Sequence, residues 1–319
     1  MVPDDLAELR KLYMGFISSR VILTANDLGM FDNLKKASSA VEISRKLKTD
    51  LRATEILLDS LTGIGLLSKS KESLYRNTLV SNRYLVKGAS LYQGDIIKHA
   101  SIMWQNFSAL DEVLRTGQPA RGAFDHEAFI MGMHNLSVLR TEALIKAVGL
   151  KGVRTALDLG GGPGTNAIAM ARRGVEATIF DLPDTIKIAK KVARREGVKG
   201  IEFIAGDFHA DDIGSGYDLI LLSQILHAYS AEENIALLRK CKAAVNPGGR
   251  VAVQDFPMNE ARTSPPQSAL FAVNMLVGTE KGRCYSPGEI KHWLAETGFR
   301  KIAVKTLPET VIITAERKV

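Results

Sequence analysis

Three aspartates stand where a strand hands over to a turn, and each suits a nucleoside. Asp158 precedes a glycine run in the segment LDLGGGPG, where Gly160, Gly162 and Gly164 permit a tight turn and a close approach of backbone to a ligand. Asp181, in FDLP, lies 21 residues beyond Gly160, and a carboxylate there can accept both hydroxyls of a ribose. Asp207, in AGDF, suits an adenine amino group, with the apolar Phe208 beside it for the ring face. A glycine run after a strand is weak evidence by itself. The dinucleotide fingerprint spaces its glycines G-x-G-x-x-G, whereas this loop reads G-x-G-x-G. Because NAD and S-adenosylmethionine share the ribose, Asp181 indicates a nucleoside without saying which. The neighbouring cluster Asp207, His209, Asp211 and Asp212 has the spacing of no standard ligand set, so a surface loop and no metal are expected.

The elements that must position these residues are legible from the period of the apolar residues. From 151 onward strands alternate with helices: TALDLG, a helix near 165–173, ATIFDL, a helix near 185–196, IEFIAGD, DLILLSQIL, a helix near 231–245, RVAVQDF and a helix near 287–297. Such alternation implies a Rossmann-like α/β domain, a mainly parallel seven-stranded sheet with helices on both faces. Its three acids then share the C-terminal edge, where open sheets of this kind bind ligands. The last two strands, 301–306 and 310–315, are separated by LPE alone, too short for a crossover helix, so they form an antiparallel hairpin. A terminal antiparallel strand is the mark of the methyl-donor version of the fold, and it favours S-adenosylmethionine over a dinucleotide.

Residues 1–95 read as a domain of their own. Leu6, Leu9, Leu12, Tyr13, Phe16 and Ile17 recur at helical spacing. Ser39 and Asp50 are good caps for two following helices, and the short strands 66–68 and 74–76 complete a winged-helix pattern, expected to be all-α outside its wing. Residues 96–150 read as connecting helices with large side chains, among them Met103, Trp104, Phe107, Phe129, Met131 and Met133, which suit either core or a flat apolar cavity. Residues 151–319 make the third segment, the nucleoside-binding domain.

Composition narrows the classes. The 319 residues are 45% apolar and 24% charged, ordinary for a globular protein, and no apolar run approaches the roughly 18–20 residues of a membrane span. The N-terminus is acidic where a signal peptide is basic, and the two cysteines, Cys241 and Cys284, fit a reducing cytoplasm. A net charge of +7 reads as a solvated basic surface. Winged helices also grip DNA, but the second helix here begins with Arg52, Thr54, Glu55 and Asp59, thin support for a duplex reader.

Taken together, TDLRATEILLDSLTGIGLL, LDLGGGPG, FDLP, GDF, ILH, NPGGRVAVQDF and AETGF resemble the plant-type, or class II, small-molecule O-methyltransferases and their bacterial relatives over nearly the whole chain. The resemblance implies a winged-helix dimerisation domain followed by the S-adenosylmethionine domain, and hence a homodimer. It implies that Asp158, Gly160, Gly162, Asp181, Leu182, Asp207, Phe208 and Ser223 surround the cofactor. It puts His227 on the family's catalytic base and Asp255 on the acid that orients it. Met133 and Met275 fall on residues that pack around the acceptor, and Met103, Trp104, Phe107, Phe271 and Cys284 complete the expected pocket. This sequence departs from the family in three places. Ala228-Tyr229 replace the common Asp-Trp after the histidine, Ser223 stands where plant members carry a lysine, and Cys284 occupies the place of a second acid. The expected activity is methyl transfer to a hydroxyl of a small aromatic or heteroaromatic molecule. Carbon or nitrogen methylation with the same cofactor is the alternative, and a cofactor-sensing DNA-binding regulator is a third. Neither nucleic acid nor membrane is expected as a partner.

Overall fold

The computed structural model describes residues 5–120 and 122–318, so the outermost ends of the segments 1–95 and 151–319 lie outside it. The chain forms two compact units, Met1–Gln105 with Ala123–Leu136, and Asn106–Gly122 with Ser137–Val319. The segment 96–150, expected as connecting helices, is shared between the two units.

The first unit opens with α1 (Leu6–Asp27), capped by the Asp5 carboxylate, which accepts from the Glu8 N–H at 2.8 Å. Its first turns leave Leu6, Leu9, Leu12, Tyr13, Phe16 and Ile17 exposed, and only Leu23 and Ala25 are buried. After β1 (Ser38–Ser39), α2 (Ala40–Leu47) starts on a reciprocal box in which Ser39 and Glu42 satisfy each other's N–H groups. In α3 (Leu51–Gly63) Asp50 caps Ala53, and Gly65 at φ +81° turns the chain so that the Leu66 N–H closes on the Leu61 carbonyl. The wing follows as β2 (Leu67–Lys69) and β3 (Leu74–Asn77), then α4 (Leu79–Tyr84) and α5 (Gly94–Phe107). The expected wing is completed to a three-stranded antiparallel sheet, β1-β3-β2, by β1, whose two residues are too few to show a strand period. Phe31, Leu34, Ile43, Leu58, Leu61 and Tyr75 form its core.

The second unit takes α6 (Leu110–Thr116) and the larger part of α7 (His126–Val148), whose Leu144, Ile145 and Val148 pack on the sheet. Then come β4 (Thr155–Leu159), α8 (Thr165–Ala171), β5 (Glu176–Asp181), α9 (Pro183–Arg195), β6 (Ile201–Ala205) and β7 (Tyr217–Ser223). A single 3-10 turn, Leu226–Ala228, leads into α10 (Ala231–Ala244) and β8 (Val245–Asp255). The chain ends with α11 (Pro266–Gly278), α12 (Pro287–Glu296), β9 (Arg300–Leu307) and β10 (Thr310–Glu316). The seven strands lie in the order β6-β5-β4-β7-β8-β10-β9. The first five are parallel, and β10 runs antiparallel to both its neighbours, as the short LPE connection requires. The central strands are buried on both faces, with Leu157, Leu159, Ile179, Phe180, Ile220 and Leu222 almost fully covered. α11 is an element the sequence pattern did not show. Its residues SALFAVNMLVG are apolar almost all round, so no single stripe marks a helix.

Candidate active site

Strand order reverses between β4 and β7, and the loops that leave the two strands meet there. The turn after β4 is pinned to β5, with the Gly160 N–H donating to the Phe180 carbonyl at 2.8 Å and the Gly162 N–H to Asp181 Oδ2 at 2.7 Å. The glycines do different work. At Gly160, φ +66°, a Cβ would stand 2.4 Å from the Ile225 side chain. At Gly162, φ +55°, a Cβ would meet nothing within 4 Å, so the backbone there faces open space. Gly164, in the left-handed region at φ +78°, hands over to α8.

Asp158 lies beneath this turn with no exposed surface. Its Oδ2 accepts from the Ala167 N–H at 3.2 Å, Oδ1 is buried without a partner, and burial pushes the carboxyl up to about 7, with Asp181 adding to the rise. Asp158 therefore braces the turn against α8 from inside. Asp181 and Asp207 sit at the ends of β5 and β6, the latter exposed, and Leu182 after Asp181 is half exposed. Asp181 Oδ1 accepts from the Leu182 N–H at 2.7 Å, and Asp207 Oδ1 from the His209 N–H at 2.8 Å. Phe208 is buried, with Tyr229 edge-on at 5.7 Å. Tyr229, noted in the sequence only as a departure, fills this corner. Burial first, then Asp207 and Asp181, push its hydroxyl up to about 12, so it is a hydrogen-bond donor at an acidic edge. Ser223, at the end of β7, donates to Gln254 Oε1 at 2.5 Å. Gln224, at φ +62°, then turns the chain toward His227, a conformation uncommon for a residue with a side chain.

His227 and Asp255, which the family resemblance pairs, lie together although 28 residues separate them. Nδ1 and Asp255 Oδ1 are 2.7 Å apart, and the residues are only 7% and 4% exposed. Asp255 Oδ1 also accepts from the Phe256 N–H at 2.8 Å, and Oδ2 from the His227 N–H at 3.3 Å. With both carboxylate oxygens acting as acceptors, Nδ1 is the donor, so in the neutral imidazole the lone pair lies on Nε2. Phe271 of α11 meets the imidazole edge-on at 5.0 Å and stacks on Phe256 at 3.9 Å. Phe256 went unremarked in the sequence because it reads as the last residue of a buried strand. Met275 lies one turn beyond Phe271 and is buried.

Cys284 does not replace the missing second acid. Its Sγ donates to the Ser268 carbonyl at 3.2 Å, it is 2% exposed, and burial pushes the thiol up to about 12. Its side chain is packed in the interior of this unit, close enough to Asp255 for that carboxylate to add to the rise. Among the other expected pocket residues, Phe107 belongs to this unit and is partly buried. Met103, Trp104 and Met133 belong to the first unit, where Trp104 lies against Phe16 and Arg20 of α1. No group of His, Cys, Asp or Glu among the described residues could hold a metal ion.

A glycine turn open at Gly162, acids at three successive strand ends and a buried His–Asp pair beside them fit a nucleoside-bearing cofactor and a proton-accepting base, the site of a Rossmann-like methyltransferase. Comparison with known proteins agrees. The O-methyltransferase domain model matches residues 118–300, and the O-methyltransferase dimerisation domain model matches residues 11–87. The 3-hydroxy-5-methyl-1-naphthoate 3-O-methyltransferase of Streptomyces sahachiroi is 32% identical over 92% of this chain and 89% of its own. The tetracenomycin polyketide synthesis 8-O-methyl transferase of Streptomyces glaucescens is 29% identical over 98% of this chain and 96% of its own. Human N-acetylserotonin methyltransferase, solved in complex with SAM, superposes with a TM-score of 0.90 at 25% identity over the full length of both chains. The chain belongs to the O-methyltransferase family and is an S-adenosylmethionine-dependent methyltransferase. Its named relatives are enzymes, and none of these comparisons supports the regulator. No described helix is long and apolar enough to cross a membrane.

Proposed function

We propose that this enzyme methylates a hydroxyl group on a small, flat aromatic molecule, with His227 as general base. The observation that carries the reading is the buried His227–Asp255 pair, 2.7 Å apart, with its imidazole framed by Phe256 and Phe271. The relatives named above are a naphthoate 3-O-methyltransferase, a tetracenomycin polyketide synthesis 8-O-methyl transferase and an N-acetylserotonin methyltransferase, and flat aromatic acceptors suit the two stacked rings.

S-adenosylmethionine, when bound, supplies a methyl group already activated on a sulfonium. Asp181 would take the ribose hydroxyls, Asp207 the adenine amino group and Phe208 the ring, while Gly162 lets backbone come close and Leu182 covers the outer side. The protein's remaining task is to present an acceptor oxygen in line and without its proton. A phenol has a pKa of about 10, so at neutral pH it arrives protonated. Nε2 of His227 takes that proton as the oxygen is methylated. Asp255 holds the ring with Nε2 inward and stabilises the imidazolium that results. Phe256 and Phe271 keep water from the imidazole.

Base help of this kind is worth roughly 10²–10⁴-fold. His227→Ala therefore lowers kcat on a hydroxynaphthoate or 5-hydroxyindole acceptor by that factor and leaves the calorimetric affinity for S-adenosylhomocysteine within a few-fold. Near-full turnover in this variant would remove His227 from the chemistry. We further propose that the chain works as a homodimer in the cytoplasm, joined through the region around 11–87. The matching dimerisation model and the exposed apolar face of α1 support the first point, and two unbridged, buried cysteines are in keeping with the second.

A further inference from the structure

Among the described residues Lys240 is the lysine or arginine that hydrogen-bonds to the loop presenting Asp207, and it acts on backbone rather than on a carboxylate. Its Nζ donates to the carbonyls of Phe208 at 2.9 Å, His209 at 2.8 Å and Asp211 at 3.0 Å. An ammonium has three N–H donors, and here each has a carbonyl. A charged donor makes a hydrogen bond roughly twice as strong as a neutral one. The same loop is closed from within, since the Asp207 N–H donates to Asp211 Oδ2 at 2.8 Å and the Ala210 and Asp211 N–H groups return to the Asp207 carbonyl. Asp207, Asp211 and Asp212 crowd negative charge into six residues, and Lys240 is the partly buried cation beside them.

The placement of Lys240 gives this tie a consequence for the site. It is on α10, whose N-terminal box of Ser230 and Glu233 begins three residues after His227. The Asn234 side chain, on the same helix, donates to the Leu226 carbonyl at 2.8 Å. At its first turn α10 thus holds the segment that carries the base, and further along it holds the segment that carries Asp207 and Phe208. Tyr229 closes the gap between them, edge-on to His209 at 4.3 Å and to Phe208 at 5.7 Å.

We infer that Lys240 is a positioning residue for adenine recognition: by fixing three carbonyls of the 208–211 loop it sets the angle at which Asp207 and Phe208 meet the base. The inference rests on the reading that Asp207 receives the adenine amino group. A carboxylate held at the right angle discriminates between an amino group and a carbonyl at that ring position, and a loosened loop loses this discrimination before it loses all binding.

The test is calorimetric titration of the full-length protein with S-adenosylhomocysteine and with its deaminated counterpart, S-inosylhomocysteine, in which a carbonyl replaces the amino group. Lys240→Met keeps the aliphatic stem and removes the ammonium. It should weaken S-adenosylhomocysteine at least 10-fold and at least halve the ratio of the two dissociation constants on a logarithmic scale. Lys240→Arg, whose planar fork can satisfy part of the carbonyl set, should fall between Lys240→Met and wild type, and it serves as well if the methionine variant folds poorly. An affinity within twofold of wild type, or a loss that is equal for both ligands, would overturn the positioning role. Asp207→Ala separates the two layers of the argument. If it leaves the preference for the adenosyl ligand intact, the adenine reading falls and the inference with it. If it abolishes the preference while Lys240→Met does not, Lys240 alone is refuted.

Discussion

At the scale of the residue, a carboxyl group near an active site need not meet a ligand to matter to it. Asp158 and Asp181 are both strand-end aspartates in the sequence, yet burial separates them. Asp158 is fully enclosed, and its carboxyl is raised to about 7 by that enclosure. In the unfolded chain it titrates near an ordinary ~3.9. Between these values the folded protein holds a proton that the unfolded chain has released, so the contribution of Asp158 to stability is complete below about pH 4 and is lost as the pH rises through about 7. Asp158→Asn keeps the shape without the charge. In urea titrations of the cofactor-free protein its stability relative to wild type should improve from pH 5 to pH 8, by an amount on the order of 2–4 kcal/mol. Parallel pH profiles for the two proteins would show that Asp158 does not titrate in this window. Cys284 follows the same physics with a different result: enclosed and raised to about 12, its thiol stays neutral at any physiological pH. Cys284→Ser should retain kcat within a few-fold, and a large loss measured at saturating cofactor would restore it to the chemistry.

At the scale of the element, the turn after β4 separates two reasons for glycine. Gly160→Ala places a methyl group 2.4 Å from Ile225 in a backbone conformation that disfavours side chains, and should destabilise the cofactor-free protein by roughly 2–4 kcal/mol. Gly162→Ala meets no atom within 4 Å and should cost only the backbone preference, about 1–2 kcal/mol. Its methyl group occupies the space a ligand needs, so it should weaken S-adenosylhomocysteine more than its stability change implies. Thermal melts with and without the ligand distinguish the two, and a reversed order would mean the turn has been assigned to the wrong face. The sequence showed all three glycines and not this division of labour, because the contact with Ile225 arises only when β4 and β7 lie side by side. The same limit explains the other gaps. The strand-helix alternation and the LPE connection made the sheet and its hairpin legible, and caps at Ser39 and Asp50 located two helices. α11 was invisible because its apolar residues surround it, and Phe256 because a core strand and a site wall use the same residue types. Lys240 looked like any surface lysine, since its three carbonyl partners are 29–32 residues away in sequence.

At the scale of the whole molecule, the least explained surface of this chain is the one its family would cover. Leu12, Tyr13 and Phe16 are 66%, 57% and 50% exposed on α1, and Leu79 on α4 is 89% exposed, all within the span that matches the dimerisation domain. Isolated exposed apolar side chains are ordinary, but a run at helical spacing on one element marks an interaction face. Fully burying such a side chain contributes about 1.5–3 kcal/mol, so two or three of them per protomer, doubled by symmetry, reach the size needed to offset the loss of free motion on pairing. The charge of +7 argues against unspecific association, because two like-charged molecules repel unless a defined apolar contact offsets it. Sedimentation equilibrium should therefore find wild type dimeric at micromolar concentration. Leu12→Glu with Phe16→Glu, which sets a carboxylate where each apolar contact would close, should shift the equilibrium at least 100-fold toward monomer. The variant should still bind S-adenosylhomocysteine, since the glycine turn, Asp181 and Asp207 all belong to the second unit. A variant that remains dimeric with unchanged affinity would place the interface elsewhere, whereas loss of cofactor binding on dissociation would show that the nucleoside site depends on the paired state.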